Sequence, residues 1–539
     1  MRASPTVKVR VGRWNLRFLK LSAERVEILH RINSIPSARV VLTVQGNPLQ
    51  EIFKDEILEL EVGRCVAGQP VELTLVDTDK KEHLMFKGVI EQRTMKAGRE
   101  RTELTLRLRH NLEKLRNSHR SQVFQNMPEA LVMTSLLASQ QMLSVISDMD
   151  QLCEQLVQFD CSDWRFIRER LSANGVWAFP APDRVVIAAP KFSAPTLTIR
   201  QHAAVDDEHV LMEDATWTLS ERAQPEKLKA STWDDHQQRL DTVTADDLSL
   251  GTGAFDSTRG NTINSASWQF NYSAPLGLKR TTALARGLLL RLQAGRASGE
   301  FKINGTAKVV LGDTVSIEGY GSSFDGKGIV TAVRHHIDRE AGWRTTLTLG
   351  CDDMSSEDVP PAQVNGLHIG VVKNFKKDMG GMNRLQVHLP VLGDKSDPLW
   401  ARLAKPYASD MSGFCFYPEP GDEVIVGFLD GDPSFPVIVG SMHNPKNRAP
   451  IDLDAKNDAK ALIVGKQGMS SQLLFDTGEP RIELSSPQEQ LVFKKGCKIM
   501  STSGLALTSN QLKLSGASSV SVESMSVNFD QKSTPPKKS

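Results

Sequence analysis

The sequence predicts a mainly β fold with a small α+β insert. Three observations carry that prediction. Apolar and polar residues alternate over much of 7–110 and again over 309–349, the period of a sheet with one face buried. A Leu-, Met- and Ala-rich stretch at 127–175 breaks that alternation. A C-terminal tract carries its apolar residues only in thin pairs. With 539 residues the chain has room for several domains, three or four at roughly 150 residues each.

Val7-Lys8-Val9-Arg10-Val11, Leu58-Glu59-Leu60-Glu61-Val62 and Leu104-Thr105-Leu106-Arg107-Leu108 are the clearest strands of the first region. Pro128 suits the first turn of a helix. Asp163 can cap a second helix that sets Trp164, Ile167 and Leu171 on one face and stops near Gly175. A strand returns at Val185-Val186-Ile187. Leu284, Leu288 and Leu292 then predict a helix over 282–296, with Arg286, Arg291 and Arg296 left to solvent and an end by Gly299. Val309 to Leu349 reads as strands again.

An internal repeat links the two strand regions. Phe86-Lys87-Gly88-Val89-Ile90 followed by Arg101-Thr102-Glu103-Leu104-Thr105-Leu106 resembles Gly326-Lys327-Gly328-Ile329-Val330 followed by Arg344-Thr345-Thr346-Leu347-Thr348-Leu349. Two copies of one barrel-like unit are expected.

Pro360-Pro361 marks a boundary, because paired prolines continue neither a helix nor a central strand. Gly366 to Asn444 has short strands with Gly, Pro and Asp turns, the pattern of a small all-β barrel. Beyond it the aromatics thin out: of 32, only Phe475, Phe493 and Phe529 remain. The pairs Leu505/Leu507, Leu512/Leu514, Val520/Val522 and Val527/Phe529 recur at steps of 7 or 8 residues. Two inward side chains per strand enclose no core within one chain. Such strands need neighbouring copies, so an intertwined, β-helical oligomer is expected. A disordered Ser-rich tail is the plainer alternative, which the regular spacing opposes as far as Phe529. The expected boundaries are 1–120 for the first barrel, 121–200 for the insert and 201–358 for the second barrel. The third barrel takes 364–445, the spike-like tract 446–530, and a disordered tail 531–539.

Charge and motifs narrow the function classes. Lys plus Arg number 65 against 64 Asp plus Glu, so no cationic excess serves a dedicated nucleic-acid binder. Six scattered cysteines without a CxxC pair read as reduced, buried thiols. Met1 to Lys20 lacks a signal peptide's apolar run, and no stretch has the apolar length of a membrane span. Synthesis and folding in the cytoplasm are expected. Gly321-Ser322-Ser323-Phe324-Asp325-Gly326-Lys327-Gly328 approaches a phosphate-binding loop, but Gly328 replaces the Ser/Thr and a strand follows, so it reads as a β-hairpin loop. His335 and His336 are adjacent and point to opposite faces of a strand. No catalytic residue, cofactor or metal ligand is assigned.

The most informative stretch runs from Pro420 to Gly440. Gly421-Asp422-Glu423-Val424 opens a strand. Asp430-Gly431-Asp432-Pro433 makes a turn, Pro436 starts the return strand, and Gly440 lies near its end. This stretch resembles the signature of the VgrG family, the hub-and-spike proteins of contractile injection machines. Asp430 stands where the family has Asn. Asp163-Trp164-Arg165-Phe166-Ile167-Arg168 with Ala173-Asn174-Gly175 resembles the family's DWxFL element, and Leu311-Gly312-Asp313 through Val330 resembles the closing strands of its second hub barrel.

The resemblance covers roughly residues 5 to 530 and implies a homotrimer. Two tube-type β-barrels per chain would form a pseudo-sixfold ring that adapts a hexameric inner tube to a threefold needle. Residues 364–445 would be an OB-fold neck. The Ser-rich tract would be a triple-stranded β-helix with Leu505, Leu507, Leu512, Leu514, Val520, Val522, Val527 and Phe529 in its core. Implied partners are the tube protein, baseplate proteins, a PAAR-repeat tip protein, cargo effectors and a target membrane met by puncture. The short spike fits an extracellular phage-tail-like particle better than an extended type VI spike. A tail-spike enzyme and a receptor- or glycan-binding tail protein are the alternatives.

Overall fold

The structure, a computed structural model, describes the chain apart from residues 1–4, 17–20, 45–61, 98–101, 202–208, 220–224, 226, 246–247, 257–266, 352–362, 466–468, 510 and 529–539. The strand expected at 58–62 therefore lies outside the described residues except for Val62, and so does the tail 531–539. Two compact units divide the chain, Met1–Met442 and His443–Ser539.

Six strands make the first set of the first unit: β1 (Thr6–Val11), β2 (Leu21–Arg31), β3 (Ser37–Val44), β4 (Pro70–Val76), β5 (Glu82–Ala97) and β6 (Thr102–His110), with a short strand at Trp14–Leu16 paired on the outer side of β1. They hydrogen-bond in the order β1-β4-β5-β6-β3-β2. Their alternating positions fill one core with Val9, Val40, Leu42, Leu73, Phe86 and Leu106.

The insert follows as β7 (His119–Pro128), α1 (Glu129–Ala138), β8 (Leu152–Ser162) and α2 (Asp163–Asn174). Pro128 is the N-cap of α1. Ser162 caps α2, its hydroxyl accepting from the Arg165 amide at 3.2 Å, so Asp163 is the first helical residue and not the cap. Gly175 ends α2 in the left-handed region, at φ +62°.

A second set of six strands follows: β9 (Leu197–Arg200), β10 (His209–Leu219), β12 (Ala297–Asn304), β13 (Thr314–Glu318), β14 (Gly326–Asp338) and β15 (Gly342–Leu349). Between β10 and β12 lie β11 (Leu228–Asp234) and the helix α3 (Leu278–Ala294). The order is β9-β13-β14-β15-β12-β10, and β10 pairs back to β9, closing a barrel. By rank along the chain, this is the same strand order as in the first set. The first set stays open among the described residues: β2 pairs with β14, which joins the two halves in one sheet.

The repeat is therefore one of topology, and its register corrects the sequence match. A bulge sets Glu91 out of the β5–β6 ladder, and another sets Thr331 out of the β14–β15 ladder. Aligning the bulges makes Leu106 equivalent to Leu347 and Leu108 to Leu349, two residues away from the textual match. A two-residue slip leaves every side chain on its own face, so alternation alone could not detect it.

Helix α3 also differs from expectation. It starts earlier and ends at Ala294, while Gly299 lies in β12. Leu284, Leu288, Leu289 and Leu290 are buried, and Arg286 and Arg291 are half-buried. The helix is covered on most sides, so its arginines do not mark a solvent face.

The small barrel closes through β16 (His368–Val372), β17 (Leu385–His388), β18 (Leu399–Leu403), β19 (Glu423–Phe428) and β20 (Pro436–Met442). Val387, Leu399, Val424, Val426 and Ile438 fill it, and the insert's Val123 and Val157 join that core.

The second unit is a single antiparallel meander: β21 (Ala459–Val464), β22 (Ser471–Asp476), β23 (Arg481–Ser485), β24 (Glu489–Phe493) and β25 (Cys497–Ser501). Leu462, Leu473, Leu484, Leu491 and Ile499 face each other across all five strands. Phe475, Ile482 and Phe493 form the next row of the same face. The opposite face is mixed, with Gln472, Glu483, Ser485, Gln490 and Lys498 interleaved with Ile463, Leu474, Val492 and Met500. The apolar face is uncovered in one chain, with Leu484 54 % and Phe493 50 % exposed.

Candidate functional site

The Pro420–Gly440 stretch builds the strand pair at the closure of the small barrel. Gly421, at φ +96°, donates its amide to the Val372 carbonyl at 2.9 Å. The Asp422 carboxylate accepts from the Glu419 amide at 2.8 Å, and Glu423 then starts β19 with Val424 fully buried behind it. Asp430 and Gly431 make the turn in the left-handed region, at φ +51° and +73°. Pro433 is buried, Pro436 begins β20 opposite Phe428, and Gly440 pairs with Ile425 just beyond a bulge.

The turn between β19 and β20 is also a docking point. The Asp430 carboxylate accepts from the Ala274 amide at 2.7 Å, which ties the barrel to the segment leading into α3. The Ser434 carbonyl accepts from the Gln155 side chain at 3.1 Å, and the same side chain accepts from the Trp400 amide at 2.8 Å. Arg280 of α3 lies over the Phe435 ring at 5.6 Å. Arg384 of the barrel donates to Glu154 of β8 at 2.8 Å.

Beneath the turn is a buried ionic cluster. Both Glu129 oxygens accept from Arg170, each at 2.8 Å, and Asn174 donates to the same carboxylate at 2.8 Å. Arg280 lies 3.9 Å away. Burial pulls the Glu129 pKa upward, but Arg170, Arg280 and Asn174 outweigh it and hold the carboxyl well below the usual carboxylate range. Asp432, itself buried, adds to the field that raises the Arg170 pKa. The Cys153 thiol points at Glu129 from 3.5 Å, and burial pushes its pKa up to about 11, which leaves it a poor nucleophile.

The sequence reading missed Glu129, Arg170, Asn174 and Arg280. The available signal was Glu129 itself, an isolated acid opening an apolar helical run straight after Pro128. These groups saturate one another. They make a joint between the insert, α3 and the small barrel, and they leave no acid, base or nucleophile poised for chemistry.

The other expected residues fall elsewhere. Leu505, Leu507, Leu512, Leu514, Val520, Val522 and Val527 lie in no helix or strand and are all exposed in the single chain. Phe529 lies outside the described residues. Cys65, Cys153 and Cys161 are buried and Cys351 is half-buried, but Cys415 and Cys497 are exposed, against the expectation of six buried thiols. The 320–325 segment is a hairpin loop, its Asp325 carboxylate accepting from the Tyr320 amide at 2.7 Å. Among the described residues no group of three or more His, Cys, Asp and Glu could hold a metal ion, and no helix is long and apolar enough to cross a membrane.

Comparison with known proteins bears on the same regions. Residues 6–339 match the family described as the Alg8 N-terminal domain. Residues 368–443, the small barrel, match the type VI secretion system/phage-baseplate injector OB domain. The type VI secretion system spike protein VgrG3 of Vibrio cholerae is 36 % identical over 74 residues, 13 % of this chain and 7 % of that protein. The spike protein VgrG5 of Pseudomonas aeruginosa is 35 % identical over 78 residues, 14 % of this chain and 10 % of that protein. The actin cross-linking toxin VgrG1 of Vibrio cholerae is 32 % identical over 108 residues, 18 % of this chain and 10 % of that protein. The matches thus span about a tenth or less of these relatives' own length.

Among solved structures, the E. coli c3393 protein is described as a component of the type VI secretion system with structural similarity to the T4 tail proteins gp27 and gp5. It superposes with a TM-score of 0.50 at 13 % identity, over 81 % of this chain and all of that one. A Francisella PdpA–VgrG complex in a half-lidded form superposes with a TM-score of 0.55 at 9 % identity, over 92 % of this chain and 88 % of that one. At such identities these likenesses concern the fold.

Proposed function

Because the chain belongs to the family of the Alg8 N-terminal domain and is a VgrG-type hub/spike protein of contractile injection systems, we propose that it works as a homotrimer that adapts a hexameric inner tube to a threefold piercing spike. The hub/spike relatives support a structural tail-spike role in a type VI system or a phage-like tail.

The observation that carries the trimer is the meander β21–β25. A five-stranded sheet whose one face is apolar in unbroken rows and bare is not a finished structure in water. Burying a Leu or Phe side chain is worth about 1.5–3 kcal/mol, and eight such residues lie uncovered or half-covered in two rows. Three copies facing inward would give them a shared core, and the exposed pairs from Leu505 to Val527 would continue it as a triple-stranded β-helix. The two six-strand sets with one strand order would supply six similar units per trimer for a hexameric tube. The small barrel would be an OB-fold neck.

In this reading the chain is made in the cytoplasm and acts within an extracellular injection particle. It contacts the tube protein, baseplate proteins and a PAAR-type tip, passes cargo effectors, and meets a membrane only by puncturing it. Its work is mechanical. The activity of the actin cross-linking relative is not transferred, since the match covers 10 % of that protein. Mass photometry of the purified chain at micromolar concentration tests the proposal. A trimer is expected, lost on deletion of residues 446–539, and a monomeric full chain would overturn it.

A further inference from the structure

The outer face of the sheet that joins the two six-strand sets carries arginines where a strand ladder disfavours them. Arg39 of β3 stands directly opposite Arg107 of β6. Like charges so placed have Cβ atoms about 4.5–5.5 Å apart and destabilise a sheet. Arg107 donates to the neutral Gln92 side chain at 3.2 Å. On its other side Arg39 faces Glu27 of β2, but the Glu27 carboxylate lies 3.6 Å from His336 of β14. Arg334, two residues before His336 on the same strand face, stands opposite Leu29. Both Arg39 and Arg334 are exposed, and among the described residues neither makes a hydrogen bond or an ion pair.

These side chains line a groove of about 470 Å³ that crosses β14, β2, β3 and β6. That volume lies within the range of ligand pockets, about 300–1,000 Å³. Its described lining holds four arginines against two carboxylates. Of the two, Glu91 is bound by Arg109 at 3.1 Å and Glu27 leans to His336. Folding therefore leaves Arg39 and Arg334 unneutralised and sets Arg39 against a like charge. Three strand spacings of about 4.8 Å, about 14 Å together, match the reach of about four residues of extended chain. Guanidinium forks engage carboxylates with two parallel hydrogen bonds, a geometry that lysines do not offer.

We propose that this groove is a docking site for an acidic polypeptide segment of a partner protein. Charge complementarity selects the occupant. Single-stranded nucleic acid is the other polyanion to weigh. It would need aromatic faces to stack on, and none of the groove's described lining residues is Phe, Tyr or Trp. The inference does not depend on the trimer.

Fluorescence anisotropy with a fluorescein-labelled octaglutamate peptide and the full chain provides the test. Saturable, salt-sensitive binding is expected, weakened by at least about tenfold in Arg39→Glu/Arg334→Glu and unchanged in Arg239→Glu, an exposed arginine outside the groove. Should the double variant melt below the parent, Arg39→Gln/Arg334→Gln carries the same comparison. Equal binding by the variants, or equal binding of octaglutamine, would overturn the proposal. So would preferential capture of an octathymidine strand. Two further outcomes would give the face another occupant and overturn it as well. A changed oligomeric state of the double variants in mass photometry would make the groove a contact between copies. Binding of octaglutamate seen only after neutralising Glu51, Asp55 and Glu56, acids of the stretch that follows β3, would make the chain's own segment the occupant.

Discussion

Gly175 and Gly287 meet backbone to backbone where α2 ends against α3. A Cβ on Gly175 would lie 2.9 Å from the Gly287 nitrogen, and one on Gly287 would lie 2.2 Å from the Ser172 carbonyl oxygen. The two helices cross at this contact, which also holds Arg170 and Arg280 on the two sides of Glu129. In an isolated helix, Gly287→Ala would gain about 1 kcal/mol from propensity. Here the clash is with a carbonyl that cannot rotate away, and overpacking of that kind costs about 1–3 kcal/mol. The crossing should decide the sign. Gly287→Ala is expected to lower the urea midpoint, and a raised midpoint would show that the helices can separate freely.

Glu129→Gln tests the buried cluster. It leaves Arg170 buried without its counter-charge, and breaking such a pair costs about 3–5 kcal/mol. Since the folded Glu129 pKa is depressed, its contribution is complete above the unfolded carboxylate pKa and is lost as pH falls below it. The difference between parent and variant, measured by denaturant unfolding, should therefore shrink from pH 7 towards pH 3. A difference that stays constant over that range would argue against the ionic origin.

Three buried histidines give a second pH dependence with its own window. His30 on β2 and His335 on β14 lie on strands paired across the seam of the two six-strand sets, and His110 ends β6. Burial lowers all three pKa values, to about 4 for His110 and about 3 for His335. Asp183 opposes the shift at His110, while His30 adds to it at both neighbours. With folded values below the unfolded 6.5, stability is complete above pH 6.5 and is lost as pH falls towards 4. The loss is on the order of 3 kcal/mol for each of His110 and His335 at the lower end. His335→Gln should flatten the stability profile between pH 6.5 and 4, and an unchanged slope would contradict the assignment.

How far these features were legible in the sequence follows from what each level of pattern encodes. Alternation placed the strands of 7–110 and 309–349, because a half-buried strand shows its period directly, but it did not place β9, β10 or β12 of the second set. It could not fix the register of β6 against β15, since a two-residue slip keeps Leu106 and Leu347 on the same faces. The 420–440 turn was legible because Asp430, Gly431, Pro433 and Pro436 each constrain the backbone locally. The Glu129–Arg170–Arg280 cluster was not, because its members lie up to about 150 residues apart and only the crossing of α2 with α3 brings them together. Arg286 and Arg291 misled for the same reason: a charged residue on a helix marks solvent only when nothing else packs there.

The meander predicts an asymmetry between its faces. Leu484→Asp puts a charge on the bare apolar face, in the centre of the row from Leu462 to Ile499. In the proposed trimer that charge would meet two copies of itself in a dry core, so trimers should fall to monomers in mass photometry. Met500→Asp, on the opposite face at the end of the row Gln472–Ser485–Gln490, should leave the trimer intact. Equal effects would mean that the apolar face is not the one the copies share.

Asp430 allows the turn chemistry to be separated from the contact it makes. Its φ of +51° costs most L-residues roughly 1–2 kcal/mol, a penalty that Asn and Asp partly escape and Gly avoids. Its carboxylate also accepts from the Ala274 amide at 2.7 Å, a charge-assisted bond worth about 1.5–3 kcal/mol. Asp430→Gly keeps the turn and loses the bond, Asp430→Asn keeps the turn with a neutral acceptor, and Asp430→Ala loses both. The expected order of stability is parent, Asn, Gly, then Ala, with Ala lowest by about 2–4 kcal/mol. If Gly equalled the parent, the bond to Ala274 would contribute nothing and the turn alone would account for the residue. If Gly fell as far as Ala, the contact would be the whole effect. The intermediate position expected for Gly is what assigns Asp430 both tasks, shaping the β19–β20 turn and fastening the small barrel to the segment that leads into α3.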